Sequence, residues 1–350
     1  MNNYESIARL PVAKQDAASA PPNNTRASVL ADAESSDHDC CLNVIIVNYF
    51  TAHLLKDCIS KLQGTVTRVI VVDNSVNEDE FEALSSIAKE YGFVHIIQMP
   101  QNGGFGKGVN AGVESVISEH GAEGQVLWIL NPDATDESGV AAGLLAEALK
   151  SYPEAILSPV ILLPNKETVW YAGGRIDVEV GKYSHDFYLE SKESLPKEAP
   201  YWTEYMCGAS VFCNASVWSS LGGFREDLFM YCEDLELSIR AKERGVPMLV
   251  VPKVTIVHQV GAASKARSAT SLSRLFYYYS SRNRVLVFLQ PRGMAARPRI
   301  RTVGFLVHTL RMVLRPLVQE KGVSGVRKSF DVVRGTARGF SLVRTGVSPQ

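Results

Sequence analysis

The stretch Leu127-Trp-Ile-Leu-Asn-Pro-Asp-Ala134, LWILNPDA, decides how this chain is read. Its apolar run has no polar face, as expected of a strand buried on both sides of a parallel sheet. Asn131-Pro132 then breaks the strand. The chain leaves the core by presenting one carboxylate, Asp133. In open parallel sheets, ligands sit beyond the carboxyl ends of the strands, so a lone acid at such an exit is a candidate ligand contact.

The same pattern extends on both sides. LNVIIVNYF (42–50), TRVIVVDNS (67–75), FVHIIQMP (93–100), QVLWILNPDA (125–134) and AILSPVILL (155–163) read as strands. Between them, TAHLLKDCISKLQ (51–63), EDEFEALSSIAKEYG (78–92), NGGFGKGVNAGVESVISEHG (102–121) and DESGVAAGLLAEALKSY (136–152) have helical spacing. The last carries acids in its expected first turn, where the helix dipole favours them. Alternating strands and helices predict an α/β fold with a mostly parallel sheet covered on both faces. Asn48, Asp73, Asn102 and Asp133 all fall at strand exits. Each alone reads equally well as a turn former or helix cap. Four on one sheet edge predict a shared site.

After residue 164 the pattern changes. Residues 168–206 have weak period-two alternation suited to antiparallel strands, and 214–221 reads as a short helix. YCEDLELSIRAKERG (231–245) predicts a helix beginning near Glu233, with Arg240 an i,i+4 partner for Glu236. PMLVVPKVTIVH (247–258) reads as a pair of strands, and 270–291 as a long helix.

Of 350 residues, 46% are hydrophobic and 21% charged, ordinary globular composition. The net charge of -1 conceals an asymmetry. Residues 1–259 hold 19 Lys/Arg and 35 Asp/Glu, a balance of -16; residues 260–350 hold 17 and 2, a balance of +15. A basic tail on an acidic body suggests an anionic partner, membrane or nucleic acid. The six cysteines form no CxxC pair, and reduced thiols are the simplest reading. The first 40 residues lack an apolar signal-peptide core and have the composition of a disordered segment. No window supplies the roughly 20 apolar residues of a membrane span. In IRTVGFLVHTLRMVLRPLV (300–318), Ile300, Val303, Leu306, Val307, Leu310, Leu314 and Leu317 share one helical face, and Arg301, His308, Arg311 and Arg315 another. That suits a peripheral position on an anionic membrane, or a helix packed on the main domain with a basic outer face.

Four constellations carry candidate chemistry. NGGFGKGVNAG (102–112) is neither a Walker A loop nor a GxGxxG fingerprint, but a Gly-rich turn at a helix start accepts close ligand approach. Asp133 suits a hard cation such as Mg²⁺, which takes few protein carboxylates, or forms an Asx turn. Glu233, Asp234 and Glu236 crowd one helical turn, enough to supply a general base as well as dipole stabilisation. His258, in VHQVGAAS (257–264), ends an apolar strand and is either structural or a partner of Asp133 in holding a metal.

Taken in order, VIIVNY (44–49), VVDNS (71–75), NGGFGKGVNAG, LNPDA, CGASVFCNASVWSSLGGF (207–224) with MYCEDLELSIR (230–240), VHQVGAAS and YYYSSRNRVL (277–286) resemble the family 2 inverting glycosyltransferases. The closer likeness is to the bacterial branch that includes rhamnosyltransferases of surface-polysaccharide assembly. The resemblance covers residues 42–290. It implies a GT-A fold over 41–290; residues 291–350 read, from their own charge and helical wheel, as a basic amphipathic helical extension. It implies that Asn48 and Asp73, with Tyr49 and Asn74, hold the nucleotide. Asn102, Gly104, Gly106, Asn110 and Asn131 would shape the nucleotide-sugar pocket. Asp133 and His258 would bind Mg²⁺ or Mn²⁺, with Asn131 standing where the family's DxD motif has its first acid. Tight metal binding without substrate is therefore not expected. Asp234 corresponds to the catalytic base, with Gly208 and Glu233 on the acceptor side. The family's EDxD reads Glu233-Asp-Leu-Glu236 here.

The implied reaction moves a sugar, with dTDP-rhamnose the first choice of donor, to a glycan or polyprenyl-linked glycan at the cytoplasmic face of the plasma membrane. UDP-galactofuranose or UDP-N-acetylglucosamine are alternative donors, and a non-catalytic nucleotide-sugar or glycan-binding protein is the alternative class. A nicotinamide dehydrogenase is disfavoured by the missing GxGxxG after the first strand. No recognition motif for nucleic acid accompanies the basic tail.

Overall fold

Continuous β-branched runs build the parallel half of the sheet: β1 (Cys41–Asn48), β2 (Arg68–Asp73), β3 (Val94–Gln98) and β4 (Gln125–Leu130). Every residue of β4 is buried. In the computed structural model, residues 41–197, 199–259, 272–289, 302–320 and 322–346 are described. The expectation of disorder for residues 1–40 lies outside them.

The remaining strands are β5 (Ala134–Thr135), β6 (Ile156–Leu162), β7 (Val169–Tyr171), β8 (Gly174–Asp177), β9 (Lys182–His185), β10 (Tyr201–Trp202), β11 (Ser210–Asn214) and β12 (Met248–His258). The main sheet runs β10-β12-β6-β11-β4-β1-β2-β3. β1 pairs in parallel with both β2 and β4, β2 with β3, and β6 with β12. β11 lies antiparallel between β4 and β6. The sheet is therefore mixed but mostly parallel.

Helices α1 (Ala52–Leu62), α2 (Glu78–Glu90), α3 (Phe105–His120), α4 (Ala141–Ser151), α5 (Ala215–Leu221) and α6 (Glu233–Glu243) cover it. Alternate residues of each strand point to opposite faces and so feed two separate cores. Val44, Ile46, Val71 and Trp128 join Leu55 and Ile59 of α1, Leu84 of α2 and Leu145 of α4. Ile45, Val72, Leu127 and Ile129 join Val109 and Val113 of α3, Trp218 of α5 and Leu237 of α6. This two-sided burial is why the strands read as unbroken apolar runs.

Two sequence expectations are corrected. Residues 248–258 form one strand rather than a pair, because a register shift between Val251 and Thr255 absorbs Pro252 and Lys253 without ending the pairing with β6. The helix expected over 136–152 begins at Ala141. Asp136 accepts hydrogen bonds from the backbone N–H groups of Ser138, Gly139 and Ala141, so it forms a turn ahead of the helix instead of its first turn.

Three further helices complete the chain: α7 (Arg274–Leu289), α8 (Thr302–Gln319) and α9 (Val323–Thr345). α9 packs along α7, and Gly335 and Gly339 set the close approach. A Cβ at these positions would lie 2.2 Å from the Tyr278 carbonyl oxygen and 2.7 Å from that of Arg282. Among the described residues no helix is long and apolar enough to cross a membrane.

Candidate active site

The parallel pairing puts Asn48 opposite Asp73 at the carboxyl ends of β1 and β2. Asn48 Nδ2 donates to Asp73 Oδ1 at 3.0 Å and to Glu80 Oε1 at 3.1 Å. Ser75 donates to the same Asp73 oxygen through its hydroxyl at 2.6 Å and its backbone N–H at 3.0 Å. Asp73 Oδ2 and Asn74 Oδ1 are buried and have no partner among the described residues. Buried acceptors are normally satisfied, so two together at a strand exit suit the N–H donors of a ligand. The neighbouring Tyr49 is exposed, its ring edge-on to Phe50.

The Gly-rich loop packs closely on its neighbours. Asn102 Oδ1 accepts the Gly104 N–H at 3.0 Å, shaping the turn. Gly106, Gly108 and Gly112 sit at packing contacts, against Phe224, Val47 and Ile45 respectively. Asn110, expected at the sugar pocket, exchanges two hydrogen bonds with the Phe224 backbone, at 2.8 and 2.9 Å. Gly104 is irreplaceable on two counts: its φ is +84°, and a Cβ would fall 2.0 Å from the Phe229 carbonyl oxygen. Gly104→Ala is expected to cost about 2–5 kcal/mol. Denaturant unfolding measures that loss, and donor affinity should fall with it, because Asn74 Nδ2 donates to the Gly104 carbonyl.

The turn after β4 is closed by its own backbone. The Asn131 N–H donates to Ala209 O, and Asn131 O accepts the Ala134 N–H, both at 3.0 Å. β5 then pairs with the end of β12, bringing Ala134 opposite His258. Asp133 Oδ1 lies 2.9 Å from His258 Nε2, both side chains being buried. His258 Nδ1 is also buried and has no partner among the described residues. No group of three or more His, Cys, Asp or Glu converges anywhere among them. A closed protein cage is thus absent there, while one carboxylate and one imidazole converge. That pair fits a hard divalent cation taking its other ligands from water and a diphosphate.

Asp234 stands in the first turn of α6. Its Oδ2 accepts from Tyr205 OH at 2.6 Å and the Gly208 N–H at 3.0 Å, and its Oδ1 from the Leu235 N–H at 2.7 Å. A carboxylate offers roughly four acceptor positions, so one is left for an incoming hydroxyl. Gly208 thus meets Asp234 through its backbone N–H. Glu236 is not part of this set: it is buried against Arg240 at 2.5 Å, the expected i,i+4 pair.

Glu233 is buried, with Oε2 unpartnered among the described residues. Burial, with the Asp234 charge adding to it, pushes its carboxyl from 4.5 up to about 8. The folded chain therefore keeps a proton between those values that the unfolded chain releases. This contribution to stability is present at acid pH and lost as pH rises through that window. Glu233→Gln should flatten the fall in unfolding free energy between about pH 5 and pH 8, measured by denaturant titration.

Three features escaped the sequence reading. Nothing in the spacing ties Tyr205 to Asp234, 29 positions away. An aromatic bridge links the two halves of the site: the Trp170 ring is edge-on to both His258 and His185, and His185 stacks on Tyr205. Finally, Asn283 Nδ2 of α7 donates to the carbonyls of Leu228, Met230 and Tyr231, at 2.7–2.8 Å. Arg282 adds a bond to Leu228 O at 2.7 Å. These contacts hold the loop before α6, in which Phe229, Tyr231 and Cys232 all have positive φ. Only the quoted YYYSSRNRVL run hinted at such a role.

The chain is similar to known proteins in sequence and in fold. Residues 43–212, just under half of the chain, match the family described as Glycosyl transferase family 2. The chain is 26% identical over 222 residues to the low-salt glycan biosynthesis hexosyltransferase Agl10 of Haloferax volcanii, covering 62% of this chain and 66% of that one. It is 23% identical over 297 residues to the dTDP-rhamnosyl transferase RfbF of Shigella flexneri, covering 81% and 92%. In fold it is similar to GalNAc-T7, whose crystal structure contains UDP, GalNAc and Mn²⁺, with a TM-score of 0.53 and 15% identity. That match covers 88% of this chain and spans 56% of the longer GalNAc-T7 chain.

Proposed function

We propose, for a chain that carries a family 2 glycosyltransferase domain of GT-A fold, that it is a metal-dependent inverting glycosyltransferase. Its donor is a nucleotide sugar, with dTDP-rhamnose the first candidate. Its acceptor is a glycan or polyprenyl-linked glycan of cell-surface polysaccharide synthesis, met at the cytoplasmic face of the plasma membrane. What supports the reading is the presence of two separate polar constellations. Asp133 and His258 converge on one side, and Asp234 is held by Tyr205 and Gly208 on the other. The donor choice rests on the likeness to RfbF, which is described as a dTDP-rhamnosyl transferase.

The chemistry follows from the residues. Asp73 Oδ2 and Asn74 Oδ1 receive the N–H groups of the nucleotide base. Tyr49 lies beside them. Asp133 and His258 would hold Mg²⁺ or Mn²⁺. The cation, when bound, supplies charge neutralisation to the diphosphate leaving group. Asp234 takes the proton of the acceptor hydroxyl as its oxygen bonds to the anomeric carbon from the face opposite the diphosphate. The bond to the diphosphate breaks in the same displacement, so the anomeric configuration inverts.

The test is a donor panel: purified protein, Mg²⁺ or Mn²⁺, membrane lipid extract as acceptor, and release of nucleoside diphosphate as the readout. Release from dTDP-rhamnose supports the donor assignment. Release from UDP-galactofuranose or UDP-N-acetylglucosamine replaces the donor and keeps the chemistry. Binding of nucleotide sugars without release from any of them replaces the enzyme by a binding protein.

A further inference from the structure

We propose that the outward faces of α8 and α9 form one docking surface that inserts shallowly into an anionic lipid leaflet. This deepens the reading above, on which it rests for the location of the acceptor. The sequence assigned one amphipathic segment to the membrane. The structure changes that assignment in three ways.

First, the apolar stripe of α8 is not consumed by packing. Val303, Leu306, Leu310, Leu314 and Leu317 recur at steps of three and four and are 46–74% exposed. Second, α9 supplies a matching stripe: Val323, Val326, Phe330, Val333 and Phe340 are 42–65% exposed. The two stripes meet at the turn, where Leu317, Val323 and Val326 line one hollow. Apolar residues exposed singly are ordinary, but ten on two adjoining helices mark an interaction surface. Third, the expected cationic face is redistributed. His308 is half-buried, and burial beside Arg284, Lys182 and Arg311 brings its imidazole down to about 4, so it is uncharged at neutral pH. Arg311, Arg327, Arg334, Arg338 and Arg344 are the exposed cations.

The charge selects the occupant. Residues 302–346 contain eight Lys/Arg and two acids, Glu320 and Asp331. Both acids are already paired, Glu320 with Lys328 and Asp331 with Arg274. A second copy of this face would bring one cationic apolar surface against another. An anionic leaflet answers both properties, the arginines at the headgroups and the apolar stripes just beneath them. The dock is fixed to the body of the protein through α7. Arg284 donates to Gly181 O and Phe305 O, and its guanidinium lies over the Phe305 ring at 3.8 Å. The neighbouring Asn283 holds the loop before Asp234, so one helix contacts both the dock and the loop that leads into α6.

Flotation of the full chain with vesicles tests this. Binding to phosphatidylcholine containing about one third phosphatidylglycerol should exceed binding to phosphatidylcholine alone by at least about tenfold. Salt at about 0.5 M should weaken it. The double variant Leu310→Asp/Phe330→Asp should lose about tenfold or more of the binding while its unfolding midpoint stays unchanged, since both side chains are exposed. Absence of binding to the anionic vesicles overturns the proposal, as does equal binding by the double variant. A wild-type dimer in sedimentation that the variant converts to monomer overturns it in favour of a self-interface. The donor panel reports separately: vesicle binding without nucleoside diphosphate release sinks the transferase reading alone, and release without vesicle binding sinks the dock alone.

Discussion

Asp234→Asn is expected to keep the fold and the donor site and to lose about 10²–10⁴-fold in turnover, the usual contribution of a positioned general base. The substitution is close to isosteric. The amide oxygen can still accept from Tyr205 OH and the Gly208 N–H, the two donors that share Oδ2. The amide nitrogen then meets the Leu235 N–H, a minor mismatch at the start of α6. What disappears is the ability to take a proton from the acceptor hydroxyl. The measurement is turnover at saturating donor and acceptor, beside donor affinity by calorimetry. Lost turnover with donor affinity unchanged is the signature of a base. Equal loss of both would make Asp234 a support of the pocket.

Removal of divalent cation is expected to lower activity by about 10²-fold or more, as loss of several kcal/mol of leaving-group stabilisation requires. Asp133→Ala combined with His258→Ala should match chelation, because no third His, Cys, Asp or Glu joins the pair among the described residues. With Asn131 in place of a second acid, the site depends on the donor diphosphate for part of its coordination. Mn²⁺ affinity, followed by electron paramagnetic resonance, should therefore rise at least about tenfold when nucleoside diphosphate is present. Asn131→Asp should narrow that difference by tightening the metal-alone state. Mn²⁺ affinity that is identical with and without nucleotide would place the cation elsewhere.

How much of this was legible in the sequence follows from the range of the interactions. The parallel strands were legible because burial on both faces leaves an unbroken apolar run, as in QVLWIL of β4. The polar exits were legible because Asn48 and Asp73 interrupt such runs abruptly, and parallel register then brings them side by side. The single strand β12 was not legible. Pro252 and Lys253 look like a turn, and only pairing with β6 shows that the strand continues past them. The start of α4 was misplaced because Asp136 serves equally as a first-turn acid and as a turn former, and local hydrogen bonds chose the second. Tyr205 and Asn283 act across 29 and about 50 residues, distances at which sequence spacing carries no signal. In the tail, the wheel of residues 300–318 gave the apolar stripe through Val303, Leu306, Leu310, Leu314 and Leu317, while the cationic stripe is redistributed and Ile300 and Arg301 lie outside the described residues. It could not say which stripe faces outward, since that depends on Arg284 drawing Phe305 and Thr309 towards the body.

The measurement that tests the central claim most directly is the anomeric configuration of the product, read by nuclear magnetic resonance of the purified glycoside. In the proposed reaction, Asp234 as the one base and Asp133 with His258 as the residues that would hold the cation leave a single displacement. The account therefore requires a glycosidic bond of configuration opposite to that of the nucleotide-sugar donor. A product that keeps the donor's configuration would demand a double displacement or a front-face reaction, and would contradict the role given to Asp234.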